Sequence, residues 1–187
     1  DNQEGSAVRT PSPMGRASDR PTSSATQEEG IAVTEPQERF SDYGPLDPLI
    51  SPHVLPAVLD LISRCRHSVK ILAFTFDHSV IVRNLTRPMR DYKAPVEIVL
   101  CHEQMWYGAS VRQKSAVQAI IEWGAKVYAH RMPTGGRNGV QHAKVLIVDD
   151  AVAIFGSANF THNSMEHCGE VCARTRCRAM VKALLEY

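Results

Sequence analysis

Short apolar runs alternate with helical segments from residue 45 to the end of the chain, and this alternation limits the choice of fold. Strands are predicted for VKILAFTF, VEIVLC, AKVYAHR, VLIV and AVAIF, which are residues 69–76, 96–101, 125–131, 145–148 and 151–155, and for a segment near Val171. Helices are predicted between them, and the segment 145–155 indicates an antiparallel hairpin. The pattern predicts an α/β fold in which helices flank a mixed central β-sheet.

Apolar residues at helical spacing mark four helices, over residues 54–62, 79–87, 110–123 and 178–187. Pro56 is expected to delay the first of these by a turn, and Pro88 to help end the second. The third is expected to end at Gly124, because glycine is favoured just after a helix.

The first 44 residues differ in composition from the rest. Between Gly15 and Gly30 there is no Val, Ile, Leu, Phe, Tyr or Trp. A segment with so little apolar surface cannot offset the entropy of ordering its backbone. We therefore predict a disordered tail over residues 1–44 and one domain of ordinary size over residues 45–187. The chain begins with Asp1 rather than Met, which is compatible with the removal of a signal, an anchor or a further domain.

Charge is divided unevenly along the chain. Residues 1–45 hold 8 acidic and 4 basic residues, whereas the remainder holds 12 acidic and 17 basic residues and all 8 histidines. A mildly basic domain suits an anionic partner, either nucleic acid or an anionic phospholipid, and ordinary surface lysine and arginine residues account for the same charge equally well. No apolar run approaches the roughly 18 residues of a membrane span, so no integral membrane segment is predicted.

The cysteines give little support for a disulfide scaffold or a metal cluster. There are five, Cys65, Cys101, Cys168, Cys172 and Cys177, without the paired spacing of a disulfide framework. An intracellular reducing compartment, cytoplasmic or associated with mitochondria, is therefore expected. The last three lie near His162 and His167, but no CxxC pair favours zinc, and buried or incidental thiols are the preferred interpretation.

The predicted hairpin carries polar side chains just before its first strand and just after its second strand. In a strand, residues i and i+2 face the same side, so His142 and Lys144 project together, whereas Asp149 lies on the opposite face where the strand ends. The returning strand brings Ser157 and Asn159 back to the level of His142. An imidazole, an ammonium, a hydroxyl and an amide are thereby gathered, which is a set suited to holding and attacking a phosphate.

These residues resemble the signature of the phospholipase D superfamily. His142, Lys144 and Asp149 match its H-x-K-x4-D motif, and Gly156, Ser157 and Asn159 match the second half. The resemblance implies a phospholipase D-like sandwich and a phosphodiester hydrolase. Glu170 occupies the place of the glutamate that supports the catalytic imidazole in the small single-motif nucleases, and Glu166 is the alternative.

The resemblance also implies a role for each residue. His142 would attack phosphorus and form a phosphohistidine, while Lys144, Asn159 and Ser157 would bind and neutralise the phosphoryl oxygens. Asp149 is expected to brace the hairpin by ion pairing. No metal or other cofactor is expected, because Lys144 and a protonated imidazole would supply the positive charge.

A single motif leaves the site incomplete, since the mechanism needs a second imidazole. None of the other seven histidines has a lysine two residues further on, namely His53, His67, His78, His102, His130, His162 and His167. Single-motif members of the superfamily pair as homodimers, and we expect the same here. The expected substrate is nucleic acid, as for bacterial Nuc-type and Zucchini-type endonucleases, or a cardiolipin-type phospholipid.

Two further expectations concern an alternative function and a loop beside the hairpin. A non-catalytic nucleic-acid-binding module on a phospholipase D-like scaffold is the alternative function. The glycine-containing loop Met132–Gly139, directly before the hairpin, is interpreted as a mobile lip beside the site.

Overall fold

The structure is a computed structural model that describes residues 44–106, 108–131 and 139–187. The predicted tail, apart from Gly44, and the predicted lip, apart from Gly139, lie outside the described residues. The strands are β1 (Asp47–Ile50), β2 (Val69–Ala73), β3 (Val96–Cys101), β4 (Lys126–His130), β5 (Val145–Val148), β6 (Val152–Gly156) and β7 (Val171–Thr175). The helices are α1 (Val54–Ser63), α2 (Ser79–Tyr92), α3 (His102–Trp106), α4 (Val111–Glu122), α5 (His162–His167) and α6 (Arg178–Leu185).

The strands form one seven-stranded mixed sheet in the order β1-β7-β6-β5-β2-β3-β4. β2, β3 and β4 are parallel neighbours, whereas β5 pairs antiparallel with both β2 and β6, and β7 pairs antiparallel with β6 and β1. The predicted α/β fold with a mixed central sheet is confirmed. Because β2 and β5 run in opposite directions, the end of β2 meets the beginning of β5 at one edge of the sheet.

The two faces of the sheet bury apolar residues against different helices. On one face, Leu146 of β5 joins the large core formed with α1, α2 and α4. On the other, Val145 and Ile147 pack with Val181 of α6 in a smaller cluster. This alternation along β5 follows from the pleat of a strand, in which successive side chains point to opposite faces.

Two predictions about prolines were wrong. Helix α2 continues through Pro88 to Tyr92. Pro88 is itself buried against the core, and its carbonyl oxygen accepts a hydrogen bond of 3.2 Å from Ala94 N at the end of the helix. Helix α1 begins at Val54 without the expected delay. Pro56 lies in its first turn, where a missing N–H leaves no hydrogen bond unmade.

Candidate active site

The predicted site residues meet at one edge of the sheet. Gly156 lies opposite Cys172 at the beginning of β7, and its N–H donates to the Lys144 carbonyl at 3.2 Å. The end of β2 lies beside the beginning of β5, since Leu72 pairs with Val145. The hairpin therefore brings the segment after β6 to the level of the residues that precede β5, as the strand pattern predicted.

His142 and Lys144 are in direct contact. The Lys144 ammonium nitrogen lies 2.8 Å from Nδ1 and 3.0 Å from Nε2 of His142, and it donates to the His142 carbonyl at 2.7 Å. The His142 side chain is exposed, and its ring packs on Phe74 with the ring centres 4.6 Å apart. The ammonium lies 5.4 Å from the centre of the same aromatic ring. Phe74 and Lys144 thus fix the position of an imidazole that is open to solvent.

Lys144 is the buried charge of the site, with 6% of its surface exposed. Burial lowers the pKa of the Lys144 ammonium, and the negative charge of Glu170 opposes that shift. A cation held at the edge of a low-dielectric core interacts strongly with an incoming anion, because little water screens it. The site is therefore electrostatically suited to a phosphoryl group.

Glu170 links the two segments that follow β6. One carboxylate oxygen accepts a hydrogen bond from the Ser157 hydroxyl and the other accepts one from the Ser164 hydroxyl. Ser157 Oγ in turn accepts a hydrogen bond of 3.0 Å from Val171 N. Glu170 is thus held next to Ser157 by two hydroxyl groups, and within the described part of the chain no hydrogen bond or ion pair joins it to His142.

Asn159 is positioned through its backbone. Its N–H donates to Ser164 Oγ at 2.9 Å, so Ser164 connects Asn159 with Glu170. Its side-chain oxygen is buried and has no hydrogen-bond partner within the part of the chain that the structure describes. Ser164 was not predicted from the sequence. The pattern that could have indicated it is the helix cap formed with Thr161, because Ser164 N donates to Thr161 Oγ1 at 3.2 Å where α5 begins.

Asp149 lies at the far end of β5 from His142. Its carboxylate accepts hydrogen bonds from the backbone N–H groups of Arg66, His67 and Ser68, at 3.0, 2.7 and 3.0 Å. Burial alone would raise the pKa of this carboxyl, but the backbone donors outweigh it and hold the pKa below its usual range. Asp149 thus braces the hairpin, through backbone amides instead of the expected ion pair, and does not contact the other site residues.

The remaining candidates occupy other positions. Glu166 lies 3.1 Å from His78 Nε2 and 3.0 Å from His162 Nδ1, so its partners are two imidazoles other than His142. The five cysteines are all free thiols. The zinc cluster considered from the sequence, made of the C-terminal cysteines and histidines, does not form among the described residues, because no three of these side chains come within metal-binding distance of one another. No second histidine ring contacts His142 within the described part of the chain.

A comparison with protein families places the chain in one of them. Residues 58–187 match the family described as "Cardiolipin synthase, PLD-like domain". The chain belongs to the phospholipase D-like family. The matched region contains every residue of the site. No curated protein matches the chain.

Solved structures share the phospholipase D-like fold. NucT from Helicobacter pylori is 23% identical with a TM-score of 0.67, and the alignment covers 76% of this chain and 92% of that one. Nuc from Salmonella typhimurium, a phospholipase D family member, is 22% identical with a TM-score of 0.64, over 76% of this chain and 90% of that one. TrmBL2, an archaeal chromatin protein described with a novel mode of DNA binding, is 10% identical with a TM-score of 0.52, over 78% and 51%.

Among the described residues, no helix has the length and apolar character needed to cross a membrane.

Proposed function

We propose that the protein is a phosphodiester hydrolase in which His142 is the nucleophile. The observation that carries the proposal is the contact of an exposed imidazole with the buried Lys144 ammonium, 2.8 Å from Nδ1. Nucleophile and cation are held together by a buried strand and by Phe74, so little reorganisation is needed when a phosphate binds. Family membership supports the same reaction class.

The proposed reaction has two steps that balance without a metal. A ring nitrogen of His142 attacks phosphorus, the bond from phosphorus to the leaving oxygen breaks, and a second, protonated imidazole gives its proton to that oxygen. The same imidazole then takes a proton from water, whose oxygen attacks phosphorus and releases His142. Lys144 and Asn159 stabilise the phosphoryl oxygens, and Ser157 adds a hydrogen bond. The imidazole that acts as the acid must be protonated, whereas the imidazole that acts as the nucleophile must be neutral.

The second imidazole is proposed to come from another copy of the chain. His142 is exposed and lies at a sheet edge where apolar residues also face solvent. Ile50 and Val171 are register partners in β1 and β7, and they are 58% and 62% exposed directly beside Glu170. A two-fold axis through this edge would cover both side chains and bring two His142 rings to one phosphate. A homodimer therefore accounts for both the exposed patch and the missing acid.

Nucleic acid is the favoured substrate. The part of the chain after residue 45 carries five more basic than acidic residues, which suits a polyanion. Cardiolipin-type phospholipid remains in the proposal because the matching family is described as a cardiolipin synthase. Nucleic-acid binding without cleavage is the second candidate function, and the fold shared with a DNA-binding chromatin protein favours it.

Turnover assays separate these functions. Single-stranded DNA, RNA and cardiolipin vesicles are each incubated with the protein in EDTA, at a temperature well below the unfolding midpoint measured in EDTA. We expect cleavage of nucleic acid by the wild-type chain and none by His142→Ala. Cleavage of the vesicles alone would assign the phospholipid. Binding of nucleic acid with no cleavage of any substrate would favour the second function, and activity abolished by EDTA and restored by Mg²⁺ would contradict the phosphohistidine mechanism.

A further inference from the structure

Two imidazoles and a carboxylate converge beside the active-site edge, and none of them has a role in the proposed reaction. His78 lies between β2 and α2, whereas His162 and Glu166 lie one turn apart on α5. Glu166 Oε1 is 3.1 Å from His78 Nε2 and 3.0 Å from His162 Nδ1. Three ligand atoms of this group, one from each residue, lie within 4.8 Å of one another. We refer to these residues as the His78–His162–Glu166 cluster.

His78 shows that this cluster is more than a surface ion pair. The residue is completely buried, and neither ring nitrogen has a hydrogen-bond partner within the described part of the chain. Glu166 Oε1 lies 3.1 Å from Nε2, which is the distance of an ion-pair contact. Buried polar atoms are nearly always paired, so an unpaired imidazole aimed at a carboxylate and a second imidazole points to an absent ligand.

We infer that the His78–His162–Glu166 cluster binds one divalent transition-metal ion of the zinc class. The ligands are His78 Nε2, His162 Nδ1 and Glu166 Oε1. Two imidazoles and one carboxylate form a ligand set that zinc commonly takes in proteins. Bonds of about 2.0–2.1 Å to a tetrahedral ion place neighbouring ligand atoms about 3.3 Å apart, and the two separations that involve Glu166 are close to that value. This departs from the sequence-based expectation that the chain holds no metal.

Access from solvent agrees with such a site, because only His78 is fully buried. The other two side chains are more open, with 46% of the His162 side chain and 36% of the Glu166 side chain exposed. An ion can therefore enter from solvent, and water can fill a fourth position.

The cluster connects two segments that flank the active site. The N–H groups of Asp77 and His78 donate to the Phe160 carbonyl at 3.0 and 3.1 Å. The Asp77 carboxylate accepts a hydrogen bond of 2.9 Å from His162 N, which fixes the beginning of α5. A metal here would hold the turn after β2 against the segment that follows Asn159. Its role would be structural, so it does not depend on the proposed hydrolysis.

Metal binding by the full chain tests the inference without measuring activity. Protein stripped with a chelator is titrated with Zn²⁺ in a calorimeter, and with Co²⁺ while visible absorption is recorded. We expect one ion per chain, a d–d spectrum without a thiolate charge-transfer band, and an unfolding temperature that rises with Zn²⁺ concentration. His162→Ala and Glu166→Gln should each weaken binding at least about 100-fold, since even outer-shell changes cost 10–100-fold.

His167→Ala is the matched control, because His167 is exposed on the same helix and its ring centre lies 5.1 Å from that of His162. This variant should bind Zn²⁺ as tightly as the wild-type chain. Circular dichroism confirms that each variant is folded before titration. The absence of saturable binding by the wild-type chain would overturn the inference. So would binding unchanged in both His162→Ala and Glu166→Gln, or a cobalt spectrum that reports a thiolate ligand.

Discussion

At the scale of single residues, Lys144 combines two properties that seldom occur together. It is almost fully buried, yet its ammonium contacts the one exposed imidazole of the motif, at 2.8 Å from Nδ1. The cost of burying a cation is partly offset by the His142 carbonyl, which accepts its hydrogen bond at 2.7 Å, and by the negative charge of Glu170. Such a residue is better explained by charge stabilisation in a reaction than by folding.

Lys144→Met should therefore separate activity from stability. Methionine keeps most of the apolar volume of the lysine stem and removes the charge. We expect turnover to fall by about 10²–10³-fold, the usual effect of losing one preorganised donor. The unfolding temperature should be unchanged or higher, because a buried charge is replaced by an apolar group.

Lys126→Met is the matched control, since Lys126 is exposed and makes a weak ion pair of 3.7 Å with Glu97. It should leave turnover within about twofold. Equal turnover by Lys144→Met and Lys126→Met would remove Lys144 from the proposed mechanism.

Asp149 yields a prediction about pH. Its pKa is lower in the folded chain than in the unfolded chain, although burial alone would raise it, because three backbone N–H groups bind the carboxylate. It therefore stabilises the fold above its unfolded pKa of about 3.9, and this contribution is lost as the pH falls through the folded-state pKa. Asp149→Asn should lower the free energy of unfolding by about 1–3 kcal/mol at pH 7.

The difference between Asp149→Asn and the wild-type chain should shrink as the pH is lowered below about 4, as measured by urea unfolding at several pH values. Asp150→Asn is the control, since Asp150 makes an exposed ion pair with Lys70 at 2.7 Å, and such pairs contribute roughly 0–1 kcal/mol. A pH-independent loss of stability in Asp149→Asn would indicate that the turn, rather than the charge, is responsible.

At the scale of elements, Gly156 lets β6 end against β7. A side-chain Cβ at this position would lie 2.5 Å from the Val171 carbonyl oxygen and 2.6 Å from Cys172 Cα. Gly156→Ala must push the two strands apart, which we expect to cost about 1–3 kcal/mol and to displace Ser157 from Glu170. Thermal unfolding and turnover should both decrease.

Gly169→Ala is the control for this substitution, because Gly169 precedes Glu170 and a Cβ there meets nothing within 4 Å. It should retain both stability and turnover. If Gly156→Ala behaved in the same way, the close approach of β6 and β7 would not be what positions Ser157.

Sequence patterns predicted the helices and strands that can be recognised from residues close together in the chain. Two continuous apolar runs around a short acidic turn predicted the hairpin of β5 and β6, and Ser110 and Gly124 correctly marked the ends of α4. Strand β1 was missed because its four residues, which include Pro48, pair through tertiary contacts with β7 and carry no periodic pattern. The helix α5 and its Ser164 were missed for a related reason: six residues are too few to show helical spacing.

At the scale of the whole molecule, the described residues of one chain supply only the nucleophile side of the proposed reaction. In-line displacement at phosphorus needs a nucleophile on one side and an acid on the other, whereas no second imidazole ring contacts His142 among the described residues. The exposed pair Ile50 and Val171 lies at the same edge as Glu170, where a second copy could cover it. An isologous contact would complete the site from one sequence.

Mixing active and inactive chains tests this shared site. Wild-type and His142→Ala chains are unfolded together at equal amounts and refolded, so that about a quarter of the dimers are wild type on both sides and about half are mixed. If one phosphate needs two His142 rings, the mixed dimers are inactive and turnover per wild-type chain falls to about half that of the wild-type protein refolded alone. Lys126→Met chains mixed with wild-type chains should show no such loss. Turnover per wild-type chain that is independent of the added His142→Ala protein, or full activity in a species that sediments as a monomer, would show that each chain carries a complete site.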